Sequence, residues 1–331
     1  MDIRSYRQST IQGVKFLLSQ QNEDGSFNPV DHGIATYHKV PYALAIMGQA
    51  ERAGRLCMYI SENVLDEEGD FTGHFPRSPL HKTYQLLANA WLIAGAQRLG
   101  EFAVSLRAMD FVGSFQHPAG GFFTAGPAAT LDSEQDVLST AVCGLALLYC
   151  GRVDEAVLAG KYIAKVWDAQ PSSSARLFYR TVKGNKLVTE FSEENAEQCM
   201  LVVGKRDQWY HVTGLAAGFL AKLYEATGEK EYLETGQKLV NFTDSCGADR
   251  YTSEKSGFLG WAAALLYAAT GNQNYRRIAI SVADGLLANQ LANGSWLKMS
   301  MGEDLTSDVV DGTAEGILCM TQIVEGLSAG E

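Results

Sequence analysis

No stretch of this chain is apolar for long enough to cross a bilayer. The longest apolar runs, such as TAVCGLALLYCG, stop well short of the ~20 residues a spanning helix needs. The start, MDIRSYRQSTIQ, lacks the charged-then-apolar pattern of a secretion signal. Basic residues are in deficit, 27 Lys and Arg against 38 Asp and Glu, for a formal net charge of −11. Neutralising phosphates takes clustered cations, so nucleic acids and anionic membranes are poor partners. The expectation is a soluble, cytoplasmic protein with no membrane span, no nucleic-acid partner and a small-molecule substrate; the oligomeric state is left open. The six cysteines, Cys57, Cys143, Cys150, Cys199, Cys246 and Cys319, form no C-x-x-C pair, which removes the basic unit of a zinc ribbon. Most lie in apolar helical segments, where a reduced thiol packs as a small hydrophobe. No EF-hand loop occurs.

What the chain has instead is repetition. KFLLSQQNEDGSF near the start and LLANQLANGSWL near the end share a helix-period run, a Gln, a few polar residues and then Gly-Ser-aromatic. Four weaker copies lie between, at Met58–Phe71, Ala108–Phe123, Ala159–Gln170 and Gly236–Tyr251; the Gln170 copy has lost its Gly-aromatic ending and GADRY is degenerate. After each copy comes a second helical segment that is apolar nearly all round, such as KTYQLLANAWLIAG or SGFLGWAAALLYAATG, and reads as a helix buried on most faces. The first segment of each pair carries its charges on one side and reads as a surface helix.

Six outer-then-inner pairs can close into a ring. The expected fold is all-α, an (α/α)6 toroid of six helical hairpins forming a single domain over residues 1–331. A linear solenoid would show polar capping repeats and uniform repeat lengths. In the toroid, the Gly turns the chain sharply, the aromatic plugs the gap between hairpins, and the Gln bonds the backbone at the helix end. One stretch breaks the pattern: ARLFYRTVKGNKLVTEF, residues 175–191, has β-rich arms around Lys-Gly-Asn-Lys. It predicts a small β-hairpin inserted in the fourth helical hairpin, overhanging the mouth of the toroid.

The motifs KFLLSQQNEDGSF and LLANQLANGSWL resemble the QW repeats of the terpenoid cyclase and protein prenyltransferase β-subunit superfamily. That resemblance implies an α/α toroid with a central apolar cavity, often for isoprenoid substrates. The class II cyclase acid, Asp-x-Asp-Asp, is not present as a string. Prenyltransferases hold zinc with an Asp, a Cys and a His, and no such set is carried over here. A second resemblance, through YEATGEKEYLETGQKLVNF and YAATGNQNYRRIAISVADGLL, is to toroid carbohydrate enzymes such as unsaturated glucuronyl hydrolases and N-acylglucosamine 2-epimerases.

In such a toroid all outer-to-inner loops emerge at one end, where the inner helices present their N-termini and partial positive charge. All six histidines, His32, His38, His74, His81, His117 and His211, fall in these loops or in first helical turns. His38 and His211 are the candidate proton-transfer histidines. Asp308, Asp311 and Glu315 are spaced i, i+3, i+7 and share one face of the last inner helix. Buried there, Asp311 or Glu315 is a candidate general acid, as is Asp136 in LDSEQD. Asp132 and Asp308 stand where N-caps are expected. Candidate substrate-binding residues are Tyr37, Tyr84, Trp91, Trp209, Tyr210 and Trp261, whose rings can line a pocket, together with His81 and Glu254. No cofactor is expected, with a divalent metal held by Asp308, Asp311, Glu315 and Asp132 or Asp136 as the alternative. Three functions remain open: a cyclase, isomerase or lyase acting on an apolar or isoprenoid-like molecule by acid–base chemistry; a carbohydrate-active hydrolase, lyase or epimerase; or a binding toroid without catalysis.

Overall fold

The computed structural model describes residues 2–27, 34–71, 83–124, 129–171, 175–183, 186–297 and 305–330. Among these, twelve α-helices alternate in direction: α1 Ile3–Gln20, α2 Val40–Ile46, α3 Ala50–Asn63, α4 Gln85–Leu99, α5 Phe102–Gly113, α6 Val137–Tyr149, α7 Val153–Asp168, α8 Tyr210–Thr227, α9 Lys230–Asp244, α10 Gly257–Thr270, α11 Gln273–Asn289 and α12 Leu305–Ala329. The even-numbered helices are the inner set. In α6 every residue from Val137 to Leu147 is buried, and in α10 every residue from Gly257 to Tyr267. The odd-numbered helices are amphipathic; α3 buries Ala53, Leu56, Cys57 and Ile60, an i, i+3, i+4, i+7 stripe.

The ring closes. Inner helices touch in the order α2–α4–α6–α8–α10–α12 and α12 returns to α2, while each outer helix packs on the inner helix before it and α1 packs on α12. Because apolar residues surround each inner helix, a partner is needed on every side, and a closed ring inside a jacket supplies them.

The repeated punctuation is a staple between neighbouring outer helices. Gln21 Nε2 donates to Gly25 O in its own turn at 3.1 Å and to Arg52 O on the next outer helix at 3.0 Å. Gln116 does the same to Gly120 O and Glu155 O, and Gln290 to Gly294 O and Ser9 O, so the last copy ties α11 to α1. The aromatic that follows, Phe27, Phe122 or Trp296, is buried in the gap. Gly294 sits at φ +89°, with the place of a Cβ only 2.7 Å from Gln12 O, so the turn takes only glycine. The Gln170 copy, without its Gly-aromatic ending, uses the same carboxamide to grip Phe178, accepting from its N–H at 2.9 Å and donating to its C=O at 2.8 Å.

Phe178 belongs to the insertion in the fourth hairpin. There β4 (Arg180–Val182) pairs antiparallel with β5 (Lys186–Leu187), while β3 (Arg176–Phe178) pairs with β6 (Met200–Val202). The first arm therefore divides at Tyr179. β4 also pairs with β2 (Gln135–Asp136), which pairs with β1 (Phe122–Phe123), so the insertion is stitched to the loop of the third hairpin.

Candidate active site at the mouth of the toroid

Every outer-to-inner loop opens at the end where the inner helices begin. Lys39, Tyr84, Asp136, Trp209 and Ser256 are the residues just before α2, α4, α6, α8 and α10. Below them aromatic rings meet across the ring. Trp91 on α4 stacks on Phe258 of the opposite helix α10, centroids 5.4 Å apart, and Tyr42 of α2 leans on Trp91 at 6.2 Å.

On one side of the mouth, four ionisable side chains from two distant segments meet. Lys39 Nζ lies 3.0 Å from both carboxylate oxygens of Asp311 and 2.6 Å from Glu315 Oε2. His38 presents Nε2 to Asp311 Oδ1 at 3.3 Å and Nδ1 to the Ile34 carbonyl at 3.1 Å. All four are buried. A cation at a helix N-terminus is disfavoured by the dipole, and burial alone would lower the Lys39 pKa. The two carboxylates outweigh burial and hold that pKa above its ordinary value. Lys39 is therefore a fixed ammonium. One ammonium thus holds two carboxylates in a single buried cluster.

Glu315 also lines a cavity of about 310 Å³ between α10, α11 and α12, together with Glu254, Asn289, Leu286, Trp296 and Cys319. That size lies at the lower end for small-molecule sites. Gly257, Gly312 and Gly316 complete its walls.

Across the mouth stands a second group. Arg180 on β4, nearly fully buried, donates to the Tyr84 hydroxyl oxygen at 2.6 Å, to Gln198 Oε1 at 3.0 Å and to Glu134 Oε2 at 3.0 Å. Trp209 lies 5.8 Å from the Tyr84 ring and 5.3 Å from the half-buried His211 ring. Asp136, fully buried, caps α6 by accepting from Ser139 N at 2.8 Å. Burial pushes its carboxyl pKa up, against the pull of Ser139 and Arg180.

His38, Asp311 and Glu315 thus share one cluster, Glu315 and Glu254 share one cavity, and Asp136, Tyr84, Trp209 and His211 share the opposite arc. Three further candidates lie in packed surroundings. Tyr37 is wedged between Phe27 and Tyr59, Tyr210 bonds Asp249 at 2.9 Å, and Trp261 packs edge-on against Phe258. His32, His74 and His81 lie outside the described residues. The N-cap expected of Asp132 belongs to Asp136, because α6 begins at Val137; Asp308 lies inside α12. Two neighbours of these groups, Lys39 and Arg180, were not among the candidate site residues read from the sequence. Lys39 carried a signal, a lysine opening an apolar inner segment; Arg180 carried only its alternation within a β-rich arm.

The string Asp244-Ser245-Cys246 has the Asp-x-Cys spacing of a zinc set, but Asp244 is tied to Arg250 and Arg277 and Cys246 is buried, which pushes its thiol up to about 12. Burial likewise raises Cys57 to about 12 and Cys150 to about 11. Among the described residues no three His, Cys, Asp or Glu side chains are placed to hold a metal ion together. No described helix is long and apolar enough to cross a membrane.

Neither protein-family descriptions nor curated protein sequences match this chain. Solved structures do, through fold. A D-mannose isomerase superposes with a TM-score of 0.70 at 12% identity, over 97% of each chain. A type II terpene cyclase from Scytonema, bound to merosterolic acid A, superposes at 0.63 and 13% identity, over 98% of this chain and 99% of its own. An α-mannanase of glycoside hydrolase family 76 from Bacteroides thetaiotaomicron superposes at 0.63 and 12% identity, over 97% and 96%. The chain is an α/α toroid of the architecture these enzymes share.

Proposed function

We propose that this protein is an enzyme of the isomerase or lyase type, working by proton transfer on a small polyhydroxylated, carbohydrate-like molecule. The observation that carries the reading is the placement of Glu315, paired with Lys39 in a buried cluster and lining a cavity that also holds Glu254, Asn289 and Trp296. Carboxylates and an amide bond hydroxyl groups, and an indole face suits the C–H side of a sugar ring. Glu315 acts as the base, Lys39 and Asp311 fix its position and charge, and His38 holds Asp311 from behind. An apolar isoprenoid chain, the first expectation from the repeats, would need the Trp91–Phe258 contact across the axis to part. The mannose isomerase and mannanase neighbours act on sugars by their names, which supports this substrate class.

The test is a panel of D-mannose, D-glucose, D-fructose and D-glucuronate in deuterated buffer, read by proton NMR for product and for solvent deuterium entering carbon. The parent should turn over or exchange at least one of them. Glu315→Gln should lose roughly 10²–10⁴-fold in rate, and His38→Ala should be similarly impaired, with melting temperatures close to the parent because Lys39 keeps Asp311. Full activity in both variants would remove the site assignment. Turnover of geranylgeranyl-bearing substrates alone would replace the sugar with an isoprenoid.

A further inference from the structure

The arc opposite Glu315 holds polar valences that the protein leaves unmatched. Asp136 Oδ1 is used in capping α6, while Oδ2, fully buried, has no hydrogen-bond partner among the described residues. Tyr84 receives the Arg180 N–H on its oxygen, and none of the described residues accepts the proton of its own hydroxyl. Arg180 Nε is likewise buried and has no hydrogen-bond partner among the described residues. An unmatched buried polar group is costly, and such a concentration is met by a bound group that both donates and accepts, as a water or a substrate hydroxyl does.

Direction follows from the strand. Gln135 and Asp136 are consecutive on β2, so their side chains leave on opposite faces. Gln135 points outward, its carboxamide oxygen lying against Gly121 beside Tyr162 of the outer helix α7. Asp136 therefore points inward, to the face it shares with its cross-strand partner Arg180.

We propose that Asp136 is a second acid–base group of the mouth, opposed to Glu315, and that Tyr84, held in place by Arg180, donates a hydrogen bond to an oxygen of the same substrate. The inference rests on the proton-transfer reading above. In one turnover Glu315 takes a proton from the substrate and the Asp136 carboxylic acid gives one, with no electron change; exchange with water returns both groups to their starting states. The groups facing Asp136 are Arg180 on β4, Tyr84 before α4, Cys143 on α6, and Tyr179 and Cys199 in the insertion, while Tyr162 of α7 lies behind the strand on the Gln135 face, bonded to Thr181. Among these the charged group is Arg180, itself bonded to Glu134, and burial outweighs it, which shifts the Asp136 carboxyl toward its acid form.

Asp136→Asn is the telling variant, because Asn caps a helix as well as Asp but cannot release a proton. On the sugar panel in deuterated buffer, kcat should fall by at least 100-fold with KM within a few-fold. The alkaline limb of the pH–rate profile, set by loss of the Asp136 proton, should disappear. Tyr84→Phe should raise KM about tenfold while circular dichroism stays unchanged, and it decides the question if Asp136→Asn does not fold. An Asp136→Asn enzyme with the parent's kcat and pH profile, alongside an inactive Glu315→Gln, would overturn this inference and leave the proposed function standing. Full activity in both would overturn the two together.

Discussion

Replacing Lys39 by Met is the sharpest test of the buried cluster. The substitution keeps the length and apolar stem of the side chain and removes only the ammonium. Lys39, Asp311 and Glu315 have side chains 5%, 0% and 6% exposed. At an effective dielectric near 20, each carboxylate contact near 3 Å carries ~5 kcal/mol of gross attraction, most of it offset by desolvation. What remains after removal is two carboxylates out of water with one cation fewer. Breaking a buried pair from one side costs about 3–5 kcal/mol, a fall in Tm of about 4–7 °C in a chain this long. The sign with pH follows from linkage. Without the ammonium, burial disfavours the charged forms of the Asp311 and Glu315 carboxyls. Stability from such groups is present at low pH and lost as pH rises through the folded value. The deficit of Lys39→Met against the parent should therefore be largest at neutral pH and shrink toward about pH 5. Urea unfolding followed by circular dichroism at both pH values measures it. The double variant Lys39→Met with Glu315→Gln should recover ~1–2 kcal/mol of the loss, since the two sites share the interaction. A deficit below ~1 kcal/mol at neutral pH, or one equal at both pH values, would show that the cluster is not held by charge.

Two further outcomes concern the closure of the ring. Gln290→Ala removes the bond that ties α11 to α1 and the one that closes its own turn and should cost roughly 1–3 kcal/mol, or about 2–4 °C in Tm by calorimetry; Gln20→Ala, at an exposed glutamine whose one side-chain bond among the described residues is to Ser19, should cost almost nothing. Gly294→Ala places a Cβ against Gln12 O in a backbone conformation that L residues avoid. It should cost upwards of about 2 kcal/mol, and a neutral result would contradict the staple geometry. Asp136→Asn has a stability signature apart from activity. The folded Asp136 pKa is raised above the unfolded value, so its contribution is present below that unfolded value and lost as pH rises through the folded one. The variant should gain stability relative to the parent as pH climbs from about 4 to neutral, read as the difference between two urea titrations.

Much of the ring was legible in the residues because burial leaves a periodic trace. A helix such as α6, apolar on every face, has to be surrounded, and one such as α3, with a single apolar stripe, has to lie outside. The glutamines and glycines of the repeat announced the staples, since a tight turn and an uncapped helix end ask for those residues locally. Boundaries were less secure. The cap of α6 moved from Asp132 to Asp136 because the strand pairing of β2 with β4 delays the helix start, and that pairing depends on an insertion placed more than forty positions downstream.

The site was visible only as a list of chemically able side chains at one end of the toroid. The sequence by itself assigned His38, Asp136, Asp311 and Glu315 to the loop end of the toroid, because hairpin periodicity puts every outer-to-inner loop at the same end. Only the tertiary structure decided the partners. Lys39 and Asp311 stand 272 positions apart and meet because α12 closes the ring against α2, a contact with no local signal. Arg180 reaches Tyr84 because β4 of the insertion docks on β2. Periodicity follows from how much of a helix is buried, a property each segment carries alone. The identity of a side chain's neighbour follows from the register between segments, which exists only once the ring is closed.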